Sequence, residues 1–247
     1  MITWIVPYRD RAHSLRWMTA SIAQYWRDFE MLVIEQMDQG QMLRGQLRNI
    51  GFLLSKGDVI VFHDVDVLHD KKEDYVGMLT RLGRPYAAFD RTMDVEVDET
   101  GQIVRRWPER PRVWGWTGVA VFAREMFERC SGFSNLYIGW GREDNSLQKR
   151  AGMVREPWCL LHLKHERGDA AVSQTEKERN KMLLRTEPKR DMRQDGYRQM
   201  TWETVGESCY NGDKRVRIVQ VRKIGVKADF VYRDLLPEWY PVEGRWP

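Results

Sequence analysis

The sequence predicts an α/β fold with a mostly parallel central sheet in one compact domain, on three observations. Short apolar runs alternate with helical stripes through the first half of the chain. Strands spaced by helices in this way form parallel crossovers. The 247 residues, 42% of them hydrophobic, can bury a sizeable core without filling two average domains. No apolar run approaches the roughly 18 residues a membrane-spanning helix needs.

Thr3 to Val6 reads as a strand stopped by Pro7, and a helix follows from about Ser14 with Leu15, Met18, Ile22 and Trp26 on one stripe. Met31 to Ile34 is a second strand, and Leu43, Leu47, Ile50 and Leu54 mark a second helix. Val59 to Phe62 is a buried third strand, bounded by Lys56-Gly-Asp58. Val95 to Val104 reads as a hairpin turning near Thr100-Gly101. Thr117 to Phe122 is a further strand, with a short helix ending near Gly132. From about Glu166 to Met200 the chain is polar and weakly patterned, either a mobile lid or a solvated helical surface. Arg215 to Arg222 alternates as a late strand, and the tail from Pro237, with Trp239, Tyr240 and Trp246, is expected to pack back on the body. The domain is expected to span 1–225, with 226–247 as a C-terminal extension.

The composition carries its own signals. Eleven tryptophans exceed the 9 tyrosines and 8 phenylalanines, a stock of flat apolar faces for the core or for stacking against sugars or bases. The net charge of +4 is too small by itself to argue for nucleic acid. Cys130, Cys159 and Cys209 are odd in number and far apart, which excludes a disulfide scaffold or a thiolate zinc site and fits a reducing compartment. The chain enters a strand directly from Met1, leaving no room for a signal peptide, so a cytoplasmic protein is expected.

Ligands of parallel α/β sheets bind at the carboxyl ends of strands. Tyr8-Arg-Asp-Arg11 sits there after the first strand and His63-Asp-Val-Asp66 after the third. If Asp64 and Asp66 continued the strand, their carboxylates would share one side and meet a cation or a ligand's hydroxyls. His162 and His165 lie three apart after an apolar run, a spacing that can converge on one metal. A carboxylate with two imidazoles makes a mixed oxygen and nitrogen shell, better suited to Mn²⁺ than to Mg²⁺. Gly139-Trp-Gly-Arg-Glu-Asp-Asn145 puts an indole and two acids between glycines at the start of a helical stretch. There a sugar can stack on Trp140 while a carboxylate takes its hydroxyl proton; the acids are equally ordinary in a first helical turn. Arg9, Arg11 and Arg44 are candidate phosphate contacts.

With these motifs in order along residues 3 to 225, the sequence resembles the β-1,4-galactosyltransferase family. Ile5 to Arg11 is similar to the family's opening proline-aromatic-arginine motif, and Phe62 to Val67 to its DVD signature. Ile34 to Phe52 follows the segment holding the donor-site arginine, Arg44 here. Trp116-Thr-Gly-Val119 is similar to the aromatic-glycine-glycine-valine strand, and Gly139 to Asn145 to the acceptor motif, with Arg142 replacing a glycine as in the xylose-acceptor branch. The resemblance implies a Rossmann-like GT-A fold and an inverting transferase using a UDP-sugar and Mn²⁺, with Mg²⁺ as an alternative. Asp66, His162 and His165 would hold the metal. Pro7, Arg9, Arg11, Arg44, Asp64, Val65, Arg91, Gly118 and Trp140 would line the donor site. Asp144 would be the general base with Glu143 beside it, and Trp140, Arg142 and Asn145 would complete the acceptor pocket. The polar stretch after His165 would be the family's mobile loop.

Three departures bear on specificity and origin. Asn145 stands where the acceptor motif has a second aspartate. Gly115 stands where a tyrosine favours galactose, leaving room for N-acetylgalactosamine. The family's membrane anchor, stem and disulfides have no counterpart, from which a bacterial or viral origin is expected. The reaction expected is transfer of galactose or N-acetylgalactosamine to a hydroxyl of a glycan. A transferase domain resembling the chondroitin polymerases and a transferase acting on a hydroxylated nucleic-acid base are the alternatives, with a non-catalytic sugar-binding module a further one.

Overall fold

The computed structural model describes residues 1–111, 116–139, 141–165, 174–187 and 195–227. The first half follows the predicted alternation: β1 (Ile2–Tyr8), α1 (Ala12–Tyr25), β2 (Phe29–Gln36), α2 (Arg44–Leu54), β3 (Val59–His63) and the short β4 (Val67–Leu68). Next come α3 (Tyr75–Leu82), β5 (Tyr86–Ala87), β6 (Arg91–Val97), β7 (Ile103–Arg106) and β8 (Arg110–Pro111). β9 (Val119–Ala123), α4 (Arg124–Arg129), α5 (Glu143–Ala151), β10 (Val154–Arg155) and β11 (Cys159–Leu163) complete the middle of the chain. α6 (Gln174–Thr186), β12 (Met200–Tyr210) and β13 (Asp213–Val226) close it.

The main sheet has eight strands in the order β10-β5-β9-β3-β1-β2-β13-β12. β1 runs parallel to β2 and β3, and β13 parallel to β2, while β9 is antiparallel to both β3 and β5. A second sheet, β4-β11-β6-β7 with β8 against β6, covers the end where β3 gives way to β4. The site described below lies where these two sheets meet.

Local chemistry accounts for the elements and for four differences from expectation. β1 continues through Pro7, which pairs with Ile34. Its ladder with β3 has already ended at Ile5 and Phe62, so a residue without an amide proton is tolerated there. α1 starts two residues before Ser14, which is buried inside the helix rather than capping it. α2 lies close on the sheet because Gly51 has no side chain: a Cβ there would come within 2.3 Å of Ile5 Cγ2. β12, which begins where the polar and weakly patterned region ends, pairs with β13 across three register shifts, and only its partner was expected. Part of the 166–200 stretch is helix α6, in which Asn180 and Leu183 are fully buried. Residues 166–173 and 188–194, Gly115, Trp140 and the tail from 228 lie outside the described residues, and with that tail the expected extension beyond its first two residues.

The core takes Trp4 of β1 and Trp26, the residue that follows α1. Trp4 meets Trp26, His63, His69 and Tyr75 edge-on, and Trp26 stacks on Tyr75 at 5.6 Å between ring centres. Within this nest the His63 and His69 Nε2 atoms lie 3.0 Å apart, and His69 Nδ1 lies 3.2 Å from Glu73. Burial and the neighbouring His69 hold the His63 pKa well below the ordinary imidazole range. All three cysteines are free. Among the described residues no helix is long and apolar enough to cross a membrane.

Candidate active site

Asp64 and Asp66 occupy a turn between β3 and β4, not an extended strand, so their carboxylates diverge instead of sharing one side. Three backbone bonds hold the turn: Asp64 N–H to Gly118 O at 2.9 Å, Val67 N–H to Asp64 O at 3.3 Å, and Leu163 N–H to Asp66 O at 2.7 Å. Gly118 thus acts here through its carbonyl, while Val65 is buried between the two acids.

Asp66 turns towards β11. Its Oδ2 lies 3.0 Å from His165 Nε2 and accepts from Arg11 Nη1 at 3.1 Å, while its Oδ1 lies 3.8 Å from His162 Nε2. Burial would raise the Asp66 pKa, but the His165 hydrogen bond, both imidazoles and Arg11 outweigh it and hold the carboxyl well below the usual range. Among the described residues, Asp66, His162 and His165 form the one group of three whose ligand atoms all lie within 4.8 Å of one another. One oxygen and two nitrogens, still partly open to solvent, fit a borderline divalent cation such as Mn²⁺.

Asp64 turns the other way, towards α2. Its Oδ1 accepts from Arg48 Nη2 at 2.7 Å. Arg48 is almost wholly buried at 1% exposure, and its Nη1 approaches Glu143 Oε1 to 3.7 Å. One guanidinium therefore stands between the DVD turn and the acceptor motif. Arg44, the expected donor-site arginine, opens the same helix, and Arg48, one turn on, is the arginine that reaches both acids. Burial, with the neighbouring Asp144 adding to it and Arg48 opposing it, pushes Glu143 up to about 7.

Glu143 and Asp144 form the first turn of α5 as expected. Asp144 Oδ2 accepts from Trp116 N–H at 2.8 Å and Oδ1 from Asn145 N–H at 2.7 Å, so two backbone amides fix its carboxylate. Before it, Gly139 and Gly141 have φ of 70° and 99°, and Arg142 itself stands at φ 79° in the left-handed region. Asn180, buried on α6, grips this turn by donating from Nδ2 to both Ile138 O and Gly141 O at 3.0 Å. Glu187, beyond the end of α6, pairs with Arg150 of α5 at 3.2 Å.

The remaining expected donor residues are placed as follows. Pro7 is buried at the end of β1, and Arg9 donates to the Gly40 carbonyl. Arg91 opens β6, where Asp90, Glu109 and the Pro157 carbonyl engage its guanidinium. The sequence reading missed Arg48, Asp94 and Arg110. Asp94 Oδ1 lies 3.1 Å from His162 Nδ1, and Arg110 Nη2 donates to both Asp94 oxygens at 2.8 and 2.7 Å.

A family model described as the N-terminal region of glycosyl transferase group 7 matches residues 1–77, and one described as the N-terminal domain of galactosyltransferase matches residues 106–155. Beta-1,4-galactosyltransferase 4 of Cricetulus griseus is 28% identical over 154 residues, covering 59% of this chain and 41% of its own length. A beta-1,4-N-acetylglucosaminyl-transferase of Lymnaea stagnalis is 29% identical over 175 residues, covering 65% of this chain and 32% of that protein. The chain thus spans less than half the length of these curated relatives. Among solved structures, Drosophila β-1,4-galactosyltransferase 7 with xylobiose superposes with a TM-score of 0.59 at 21% identity, covering 92% of this chain and 94% of that one. A mutant of that enzyme in complex with manganese, UDP-Gal and xylobiose superposes at 0.60, also at 21% identity and with the same coverage. The fold is therefore GT-A.

These matches overturn the expected cytoplasmic location and bacterial or viral origin, since the relatives are animal enzymes. That expectation rested on the strand starting at Met1, on the spacing of the cysteines and on the missing anchor and stem; this chain spans only 41% and 32% of these two relatives, so where it starts says nothing of what precedes it. The matched motifs and the shared fold lead to one conclusion: the chain belongs to the β-1,4-galactosyltransferase family.

Proposed function

We propose that this domain is a metal-dependent inverting glycosyltransferase that moves galactose or N-acetylgalactosamine from a UDP-sugar to a hydroxyl of a glycan. The convergence of Asp66, His162 and His165 within 4.8 Å carries this reading. A divalent cation held there would neutralise the charge developing on the departing diphosphate. Arg11, bonded to Asp66 at 3.1 Å, stands ready to contact the same phosphates. Asp64 keeps one oxygen on Arg48 and offers the other to the nucleotide.

Asp144 accepts the proton of the attacking hydroxyl in this reading. Its two backbone amide bonds aim the carboxylate and leave each oxygen a further lone pair for the acceptor. Glu143 and Arg142 flank that acceptor. The relatives in hand include both galactosyl and N-acetylglucosaminyl enzymes, which supports testing more than one donor sugar.

The test is a panel of UDP-sugars assayed for Mn²⁺-dependent UDP release with glycan acceptors. Asp144→Asn should keep UDP binding and lose about 10²–10⁴ in turnover, the range general base catalysis provides. Full turnover in Asp144→Asn would move the base elsewhere, and no UDP release with any donor would leave a binding module.

A further inference from the structure

His162 is held by more than its place on a strand. Its ring presents Nε2 towards Asp66, at 3.8 Å from Oδ1, and Nδ1 towards Asp94, at 3.1 Å. Asp94 is directly opposite His162 in the parallel register of β6 and β11. Arg110, on the neighbouring β8, closes on both Asp94 oxygens from a single nitrogen at 2.8 and 2.7 Å. The Asp94 backbone is also pinned, its carbonyl accepting from Trp107 N–H at 3.0 Å. A chain of contacts thus runs Arg110, Asp94, His162, cation site, with every side chain of it on the second sheet.

We propose that Asp94 is a positioning residue that selects the tautomer and ring orientation of His162, with Arg110 as its anchor. The inference rests on the metal site proposed above. An ionised carboxylate can only accept, so it binds the Nδ1–H tautomer and leaves the Nε2 lone pair free for a cation. It also makes the imidazole a stronger donor and removes its freedom to flip. Arg110 holds Asp94 by charge and by two bonds, so the carboxylate cannot swing away to solvent. Without this pair the ring would be free to turn, and either nitrogen could carry the proton.

The experiment reads metal binding by apo protein, separately from turnover. Mn²⁺ is titrated and the free ion counted by electron paramagnetic resonance. Asp94→Ala should weaken Mn²⁺ binding by about 10- to 100-fold, the usual cost of losing a partner behind a histidine ligand. Asp94→Asn, which keeps an acceptor for Nδ1–H, should recover most of that affinity. Arg110→Ala should fall between Asp94→Ala and the parent, and Glu96→Ala, on the same strand, should leave affinity unchanged. In nitrogen-15 spectra of the imidazoles, the metal-free parent should show His162 protonated at Nδ1, and Asp94→Ala should mix the tautomers. Parent-like affinity in Asp94→Ala, or an Nε2–H His162 in the metal-free parent, would overturn the proposal. Should Asp94→Ala fail to fold, Arg110→Ala and the parent spectrum decide the matter. If Asp66→Ala and His162→Ala bind Mn²⁺ as the parent does, the metal site itself is refuted; if they lose it while Asp94→Ala does not, only this inference fails.

Discussion

Arg48 Nη2 donates to Asp64 Oδ1 at 2.7 Å from a side chain almost entirely withdrawn from solvent. The guanidinium also lies over the Phe133 ring at 5.3 Å, and its Nε and Nη1 have no hydrogen-bond partner in the structure. It compensates the charge of Asp64 and of Glu143 in the same space. Arg48→Met keeps the apolar stem and removes the charge. Breaking a buried pair from one side costs about 3–5 kcal/mol. At about 2–4 °C per kcal/mol for a chain this size, thermal melts should show Arg48→Met unfolding roughly 6–20 °C below the parent. The double variant Arg48→Met with Glu143→Gln should recover part of that loss, because no carboxylate is then left unpaired beside the methionine at Glu143.

Glu143 makes the fold sensitive to pH in a definite direction. Its folded pKa is about 7, raised from 4.5 by burial and then by Asp144, so the folded chain holds the proton more tightly than the unfolded one. Its contribution is therefore fully present below about pH 4.5, and is lost as pH rises towards about 7. The size of this effect is about 3 kcal/mol at 1.36 kcal/mol per pH unit. Subtracting urea-melt stabilities of Glu143→Gln from those of the parent, pH by pH, should show that slope and a flat difference above about pH 8.

Arg142 adopts φ 79° at the cap of α5. A side chain in the left-handed region costs about 1–2 kcal/mol, partly offset by the lower chain entropy of a non-glycine residue when unfolded. Arg142→Gly therefore relieves that strain while giving up the side chain's own contacts, and the melting temperature should move by no more than about 4 °C. Because the guanidinium leaves the acceptor motif, the acceptor KM should rise while the UDP-sugar KM stays the same.

Cation binding should show up as stability. Mn²⁺ at about a hundred times its Kd should stabilise the fold by about 2.7 kcal/mol, and a chelator should reverse it. In melts with and without Mn²⁺, Asp66→Ala and His165→Ala should show no such difference. A full Mn²⁺ shift in Asp66→Ala would show that the ion binds elsewhere.

The motifs that were legible in the sequence are those where chemistry is local. Asp64-Val-Asp66 after a buried strand, His162 with His165, and the acids after Gly141 each carry their signal in a few adjacent residues, and the fold brings the first two together. The apolar stripe of α1 was legible for the same reason: period 3.6 puts Leu15, Met18 and Ile22 on the buried face, while Trp26, just past the helix end, meets Trp4 in extended backbone. Arg48 was not, because a buried arginine differs from its exposed neighbours only in what folds over it, here Phe133 and Glu143. Asp94 sits on a half-exposed alternating strand and reads like any solvent-facing acid until β11 is laid beside it. β12 is an edge strand with one side towards water and three register shifts, so its apolar alternation is too broken to read.

The grip of Asn180 on the turn before α5 has a consequence for heredity of shape. One amide nitrogen holds the carbonyls on both flanks of that turn, Ile138 and Gly141, so neither flank can part from the other while the side chain stays in place. The contour offered to an incoming sugar is thus dictated by a residue far downstream, on a helix carrying none of the expected catalytic, donor or acceptor residues. A substitution at Asn180 would leave every one of those residues in the sequence and still redraw the outline they present.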